Sequence, residues 1–231
     1  MLQRKWNLLT VLLLAGGSAM AQANYGVSVS YNFNSFRGNS SFQVTPGVGV
    51  GGFFKYRVAS FFTPKAELSY FQQGAFLEDY DVSPPELSRN RARVTFHSIH
   101  LPLLMEFSLP SLVDEPIRPK LTLGGFYNFI FNAQEQFYNT IRVPGYPRVD
   151  RAGRSDVTGQ FQQIQYGLIG ALGGEIRVFS LPVALEFRYL FNLNPISKAG
   201  TRNDTNLTNT FDEWGDRLRL ATLSFNIQVT L

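Results

Sequence analysis

From Ile99 to Phe107 the odd positions, Ile99, Leu101, Leu103, Met105 and Phe107, form an unbroken apolar row, while Ser98, His100, Pro102, Leu104 and Glu106 stand between them. A period of two predicts a strand with two unlike faces. The pattern recurs along the chain. "NYGVSVSYNFN" sets Tyr25, Val27, Val29, Tyr31 and Phe33 against small polar residues, and 44–58 sets Val48, Val50, Phe54 and Tyr56 against Gly47, Gly49, Gly51, Lys55 and Arg57. Residues 61–73 oppose Phe62, Ala66, Leu68 and Tyr70 to Thr63, Lys65, Glu67 and Ser69, and the opening stretch extends back to Arg93 as a fourth strand. A fifth carries Leu121, Leu123, Tyr127, Phe129 and Phe131 opposite Lys120, Thr122, Gly124 and Asn128, with Phe126 and Ile130 breaking the rule. The last three run over 163–178, 183–192 and 221–231, each with one apolar row and one polar row.

The links between these eight strands alternate between short and long: a few residues at Ala59–Ser60 and at "SLP", but eighteen to thirty after the third and fifth strands by the approximate boundaries. That alternation predicts an all-β, eight-stranded, antiparallel up-and-down transmembrane β-barrel, with tight turns and both termini on the periplasmic side. A row that faces lipid must be apolar, and closure satisfies every backbone group. The polar row then fills a narrow, closed interior. The link from the fourth to the fifth strand, with Pro110, Pro116 and Pro119, is long for a periplasmic turn. A lipocalin-like barrel or a sandwich would turn the apolar rows inward, and eight such rows would overfill so small an interior.

The first residues fit export. Arg4 and Lys5 precede an apolar run from Leu8 to Ala15 and a small-residue stretch ending Ala19-Met20-Ala21. This is a signal-peptide pattern over 1–23, too short to span a bilayer, with a barrel domain over 24–231. Without Arg4 and Lys5, 19 basic residues oppose 17 acidic ones, which gives no argument for nucleic acid. There is no cysteine, so no disulfide holds the domain. Aromatic residues make up 14% and charged residues only 16%, a balance suited to a surface that faces lipid.

The signal peptide, "PGVGVGGFFKYR" running into "FFTPKAELSYFQQGA", then "IHLPLLMEFSL", "LGGFYNFIFNAQEQF" and "LPVALEFRYLFNLNPI", resemble the PorT-type outer-membrane β-barrel family of the Bacteroidetes over essentially all of 25–231. The resemblance implies an eight-stranded barrel in the outer membrane. One named member of that family belongs to the type IX secretion and gliding machinery, and most have no assigned activity. The partners it implies are outer-membrane lipid and envelope or secretion-machinery proteins.

Candidate chemistry lies on the polar row: Lys65, Glu67, Glu106, Glu175, Arg177, Glu186 and Arg188. Charges enclosed in a barrel must pair. A four-residue turn "SLPV" would set Glu175 opposite Arg188 and Arg177 opposite Glu186. The network is read either as a structural plug or as an ion path. His97 and His100 sit three apart, on opposite strand faces, and no Cys joins them, so no metal site is expected. Asp79, Asp81, Ser83 and Glu86 are assigned to a loop, with Arg89, Arg91 and Arg93 as neighbours, and lack a histidine to complete a catalytic set. No cofactor is expected. The longest loop is placed at 132–159, where Tyr138, Arg142, Tyr146 and Arg148 offer a binding surface for a protein or a glycan, and a second at 193–215 contains Trp214. Three functions stand open: an envelope scaffold or accessory component, a small passive channel, and an enzyme.

Overall fold

In the computed structural model the described residues are 23–37, 42–81, 87–109, 117–142, 145–196 and 218–231. The strands are β1 (Ala23–Arg37), β2 (Phe42–Gln43), β3 (Thr45–Tyr56), β4 (Phe62–Asp81), β5 (Leu87–Ser108), β6 (Arg118–Arg142), β7 (Val149–Asp156), β8 (Ile164–Val178), β9 (Leu181–Asn192) and β10 (Arg219–Thr230). Eight of them close a ring in the order β1, β3, β4, β5, β6, β8, β9, β10, and β10 returns to β1. All the pairings are antiparallel. This is the expected closed eight-stranded barrel. The signal-peptide segment lies outside the described residues.

The period-two rows sort as lipid and lumen require. Val27, Val29, Leu101, Leu103, Leu168 and Phe187 are exposed on the outside. Ser28, Asn32, Glu106, Gln165, Glu186 and Arg188 are buried inside. Aromatic rings gather near the ends of the apolar band. Tyr70, His97 and Phe131 cluster at one edge, where the Tyr70 hydroxyl and His97 Nδ1 share a hydrogen bond of 2.5 Å.

Strand length differs around the ring. A tilted strand crosses a bilayer in about 9–11 residues. At 12 residues each, β3, β9 and β10 are little more than that. At 20, 22 and 25 residues, β4, β5 and β6 are about twice as long and continue above the apolar band. There they join β7, which pairs with β6 along Gln134–Ile141, in a sheet that projects beyond the membrane.

Two expectations are corrected by this sheet. Residues 132–159 are not one long loop: 132–142 are the top of β6 and 149–156 are β7. Asp79 and Asp81 belong to β4 and are strand residues as well, as are their neighbours Arg89 and Arg91 on β5, while Ser83 and Glu86 lie outside the described residues. The sequence pattern fails here because both faces of a sheet standing above the membrane can be polar. A bulge adds to the failure. His97 pairs with Asn132 and Ser98 with Ile130, so Phe131 is an extra residue on β6 and its alternation changes phase.

Candidate functional site

Each strand delivers its inward side chains at successive depths, so the lumen is layered. Read upward from the end that holds the chain termini, the inward row of β4 is Lys65, Glu67, Ser69, Phe71, Gln73 and Ala75. That of β9 is Ala184, Glu186, Arg188, Leu190 and Asn192. Charge, then an apolar ring, then amides, is repeated by the neighbouring strands. The expectation of a wholly polar interior is therefore corrected.

The lowest layer is ionic. Lys65 donates to Glu106 at 2.7 Å and to Gln228 Oε1 at 2.7 Å, and lies 2.9 Å from Glu67 and 3.5 Å from Glu186. Arg188 grips Glu67 with both terminal nitrogens, at 2.7 and 2.6 Å, and donates from Nε to Glu186 at 2.9 Å. Lys65, Glu67, Glu186 and Arg188 are 3%, 4%, 0% and 3% exposed, so none of these charges has water to fall back on. Nearer the mouth Lys120 meets Glu175 at 2.5 Å and Glu106 at 3.7 Å, and Lys55 meets Glu175 at 3.6 Å. The Phe53 ring lies beneath both Lys55 and Lys65, at 5.5 and 5.3 Å. Lys55, Lys65, Lys120 and Arg188 thus balance Glu67, Glu106, Glu175 and Glu186 one for one. Lys55 and Lys120 were absent from the expected network, although their place on the polar rows of the sequence was a signal that could have included them.

The pairing between β8 and β9 is not the expected one. Glu175 faces Ala184, Gly173 faces Glu186, Ala171 faces Arg188 and Arg177 faces Pro182. The turn has two residues rather than four: Phe179 and Ser180, at φ 48° and 71°, make the left-handed bend that suits a tight hairpin. Arg188 therefore finds its main carboxylate on β4, across the lumen. Arg177 is exposed near the turn and stands apart from the ionic layer that Arg188 anchors. Small residues opposite the charges make this possible, since a Cβ at Gly173 would come 2.9 Å from the Glu186 side chain.

Above the ions lies an apolar ring of Phe71, Leu104, Phe126, Ile169 and Leu190. Phe126 fits because β8 offers Gly167 there, where a Cβ would stand 2.7 Å from its ring. His100 stacks on Phe71 at 4.6 Å and donates from Nδ1 to Asn128 Oδ1, the tautomer that fits the neighbouring groups. From there a hydrogen-bond chain crosses the barrel. Asn128 donates to Gln73 at 3.0 Å, Gln73 to Thr222 at 2.8 Å, Thr222 to Asn34 at 2.8 Å, and Asn34 to the Thr45 carbonyl at 3.1 Å. Six strands are tied by one row of side chains. His97 is on the other strand face, and the described residues hold no group of metal ligands.

The top of the lumen is closed by a second apolar cluster. Phe36, Val94, Phe96, Ile130, Ala133 and Leu220 come from strands, and Val157, Phe161, Ile196 and Leu218 from the segments between them. Phe96 meets Phe161 edge-on at 4.8 Å. At the opposite end the mouth is open: a cavity of about 540 Å³ is lined by Lys55, Arg57, Glu106, Arg118, Lys120 and Glu175.

Of the candidate loop residues, Tyr138 is on β6, facing outward, and Tyr146 and Arg148 are exposed beyond it. Arg148 bonds Asp150 at 2.9 Å and reaches the Tyr138 hydroxyl at 3.4 Å. The hydrogen bonds that Arg148 and Thr140 donate to it hold the Asp150 carboxyl below its ordinary range. Arg142 ends β6, its side chain outside the described residues, and Trp214 lies outside them altogether.

Among solved structures, the attachment invasion locus protein Ail of Yersinia pestis is similar at 9% identity, over 91% of this chain and 99% of that chain, with a TM-score of 0.37. Neisserial surface protein A is similar at 12% identity, over 90% and 97%, with a TM-score of 0.38. OprG from Pseudomonas aeruginosa is similar at 11% identity, over 90% and 91%, with a TM-score of 0.39. No curated protein sequence matches. A family model described as an outer membrane protein beta-barrel domain matches residues 17–198, and the chain, with its closed ring and lipid-suited exterior, belongs to that family of the bacterial outer membrane.

Proposed function

We propose that this protein is a non-enzymatic, sealed outer-membrane scaffold, exported by its N-terminal signal segment, that carries an extracellular β-sheet as its working surface. The observation that carries this reading is the filled lumen: an ion-paired layer, an amide layer and two apolar clusters stand one above another between the two mouths. An eight-stranded barrel has room for side chains and little more. The PorT-like stretches "ELSYFQQGA" and "IHLPLLMEF" support a place in the PorT-type branch of the Bacteroidetes, and with it an accessory role beside envelope or protein-secretion machinery.

The rival reading, a small passive channel, draws on the open mouth of about 540 Å³. Single-channel recording of the refolded protein in a planar bilayer separates the two. The expected record is silent for the wild type and shows openings in Arg188→Ala or Glu106→Ala. Steady wild-type current would sink the scaffold. Co-purification from the native envelope then tests whether the barrel works alone or within an assembly.

A further inference from the structure

The outward face of the projecting sheet has a composition unlike the rest of the exterior. Phe76 pairs with Arg93, Arg93 with Gln136 and Gln136 with Arg154, so these four side chains form one cross-strand row over β4, β5, β6 and β7. Two residues further up, Glu78, Arg91, Tyr138 and Ala152 make the next row of the register. Of these, Arg91, Tyr138 and Ala152 join the first row in lining a shallow groove of about 470 Å³. Arg91, Arg93 and Arg154 line it, and Glu78 pairs with Arg91 at its border.

Spacing gives the groove its chemistry. Strands lie about 4.8 Å apart, so Arg93 and Arg154, two strands apart, start about 10 Å from each other. An arginine side chain spans about half that distance or more, so both guanidinium groups can close on one small anion from opposite sides, with the Gln136 amide between them. Guanidinium forks match phosphate oxygens in geometry as well as in charge.

Position selects the source of the phosphate. The row stands on the outside of the sheet, not in the lumen, and above the Tyr70, His97 and Phe131 edge of the apolar band. Between that edge and the arginines lies only the polar row of Thr95, Gln134 and Asp156. A lipid lying against the aromatic edge with its acyl chains would raise its headgroup to the level of Arg93 and Arg154. Phe76 and Tyr138 flank the arginines and supply apolar faces for a sugar ring. We infer that the Arg93, Gln136 and Arg154 row is a binding site for a phosphate of an outer-leaflet glycolipid headgroup. The site does not depend on whether the lumen is sealed.

The test uses the full mature chain in nanodiscs. Native mass spectrometry compares retention of diphosphorylated lipid A with that of the same lipid stripped of both phosphates. The wild type should retain the phosphorylated form preferentially, and Arg93→Gln with Arg154→Gln should reduce that retention about tenfold or more, as loss of two charge-assisted contacts implies. Arg177→Gln, which removes the same charge near the opposite mouth, should leave retention unchanged. If the double variant does not fold, Arg154→Gln alone, on the outermost strand of the sheet, should show a smaller loss in the same direction. Equal retention of the two lipids by the wild type, or no change in the arginine variants, overturns the site. Displacement of the lipid by inorganic phosphate at micromolar concentration overturns the glycolipid as its occupant.

Discussion

The lower and upper parts of the lumen are filled by opposite chemistries. The lower layer is eight charges balanced one against one, and the upper is an apolar cluster of Phe36, Val94, Phe96, Ile130, Phe161 and their neighbours. The ionic layer contributes little net stability, because burying each charge costs several kcal/mol that its partner only returns. What it does fix is which strands meet, since Arg188 on β9 must find Glu67 on β4 across the barrel. The apolar layer has the reverse character. It tolerates inexact partners but gains free energy with each group taken from water.

The largest effect should come from breaking one ion. Arg188→Ala leaves Glu67 and Glu186 with Lys65 as their one shared counter-charge in a buried space, a loss of about 4 kcal/mol. Unfolding by urea in lipid vesicles reads it. Glu67→Gln combined with Arg188→Met keeps the remaining charges balanced and should recover most of that loss. A double variant as weak as the single one would show that the ionic layer is a net source of stability rather than a device for choosing partners.

Phe96→Ala should cost about 3 kcal/mol through the cavity it leaves against Phe36 and Phe161. Its signature is local. Hydrogen exchange should accelerate in the tops of β5 and β6 while the lower halves of β9 and β10 stay protected. Uniform acceleration around the barrel would dissolve the distinction between the layers.

That distinction also explains what could be read from the sequence. The ionic layer is visible because parity alone places it: once Leu185 and Phe187 face lipid, Glu186 and Arg188 must face inward. Which charge meets which was not legible, since the partners sit on strands far apart in sequence and the β8–β9 turn uses Phe179 and Ser180 where its left-handed bend favours Asn and Gly. Of the apolar cap only Ile130 was read, as an exception to the alternation, with Phe126 of the apolar ring below it as the other exception. Val157, Phe161, Ile196 and Leu218 come from segments without periodicity, and the bulge at Phe131 shifts the phase on β6 so that Ala133 and Glu135 turn inward instead of their neighbours. The projecting sheet was hidden for a related reason. A strand with water on one side and arginines on its face carries no lipid-facing row to announce it.

A smaller prediction concerns that turn. Both residues hold positive φ without being glycine, and Phe179 is 96% exposed. Ser180→Gly removes the strain of a side chain in the left-handed region and should stabilise the barrel by about 1 kcal/mol. A destabilised variant would mean that the Ser180 side chain supports the hairpin in a way its backbone angle does not suggest.

The smallest effect is a pH dependence confined to the upper sheet. Glu135 turns inward on β6 above the membrane, next to Val94 and Ser155, and the described groups provide no cation partner for it. Burial raises its carboxyl above the ordinary range, and the weak hydrogen bond from Ser155 at 3.4 Å only partly opposes this. A carboxyl whose folded-state value is raised favours the fold most when it is protonated in both states. That contribution is full below the ordinary carboxylate value and is lost as pH rises through the raised one. Exchange protection of β6 and β7, corrected for the intrinsic rate, should therefore increase between about pH 7 and about pH 4. Glu135→Gln should hold the protection high across that range. Protection that falls on acidification would mean the ionised carboxylate is the form the sheet stabilises, and would place a cation beside Glu135.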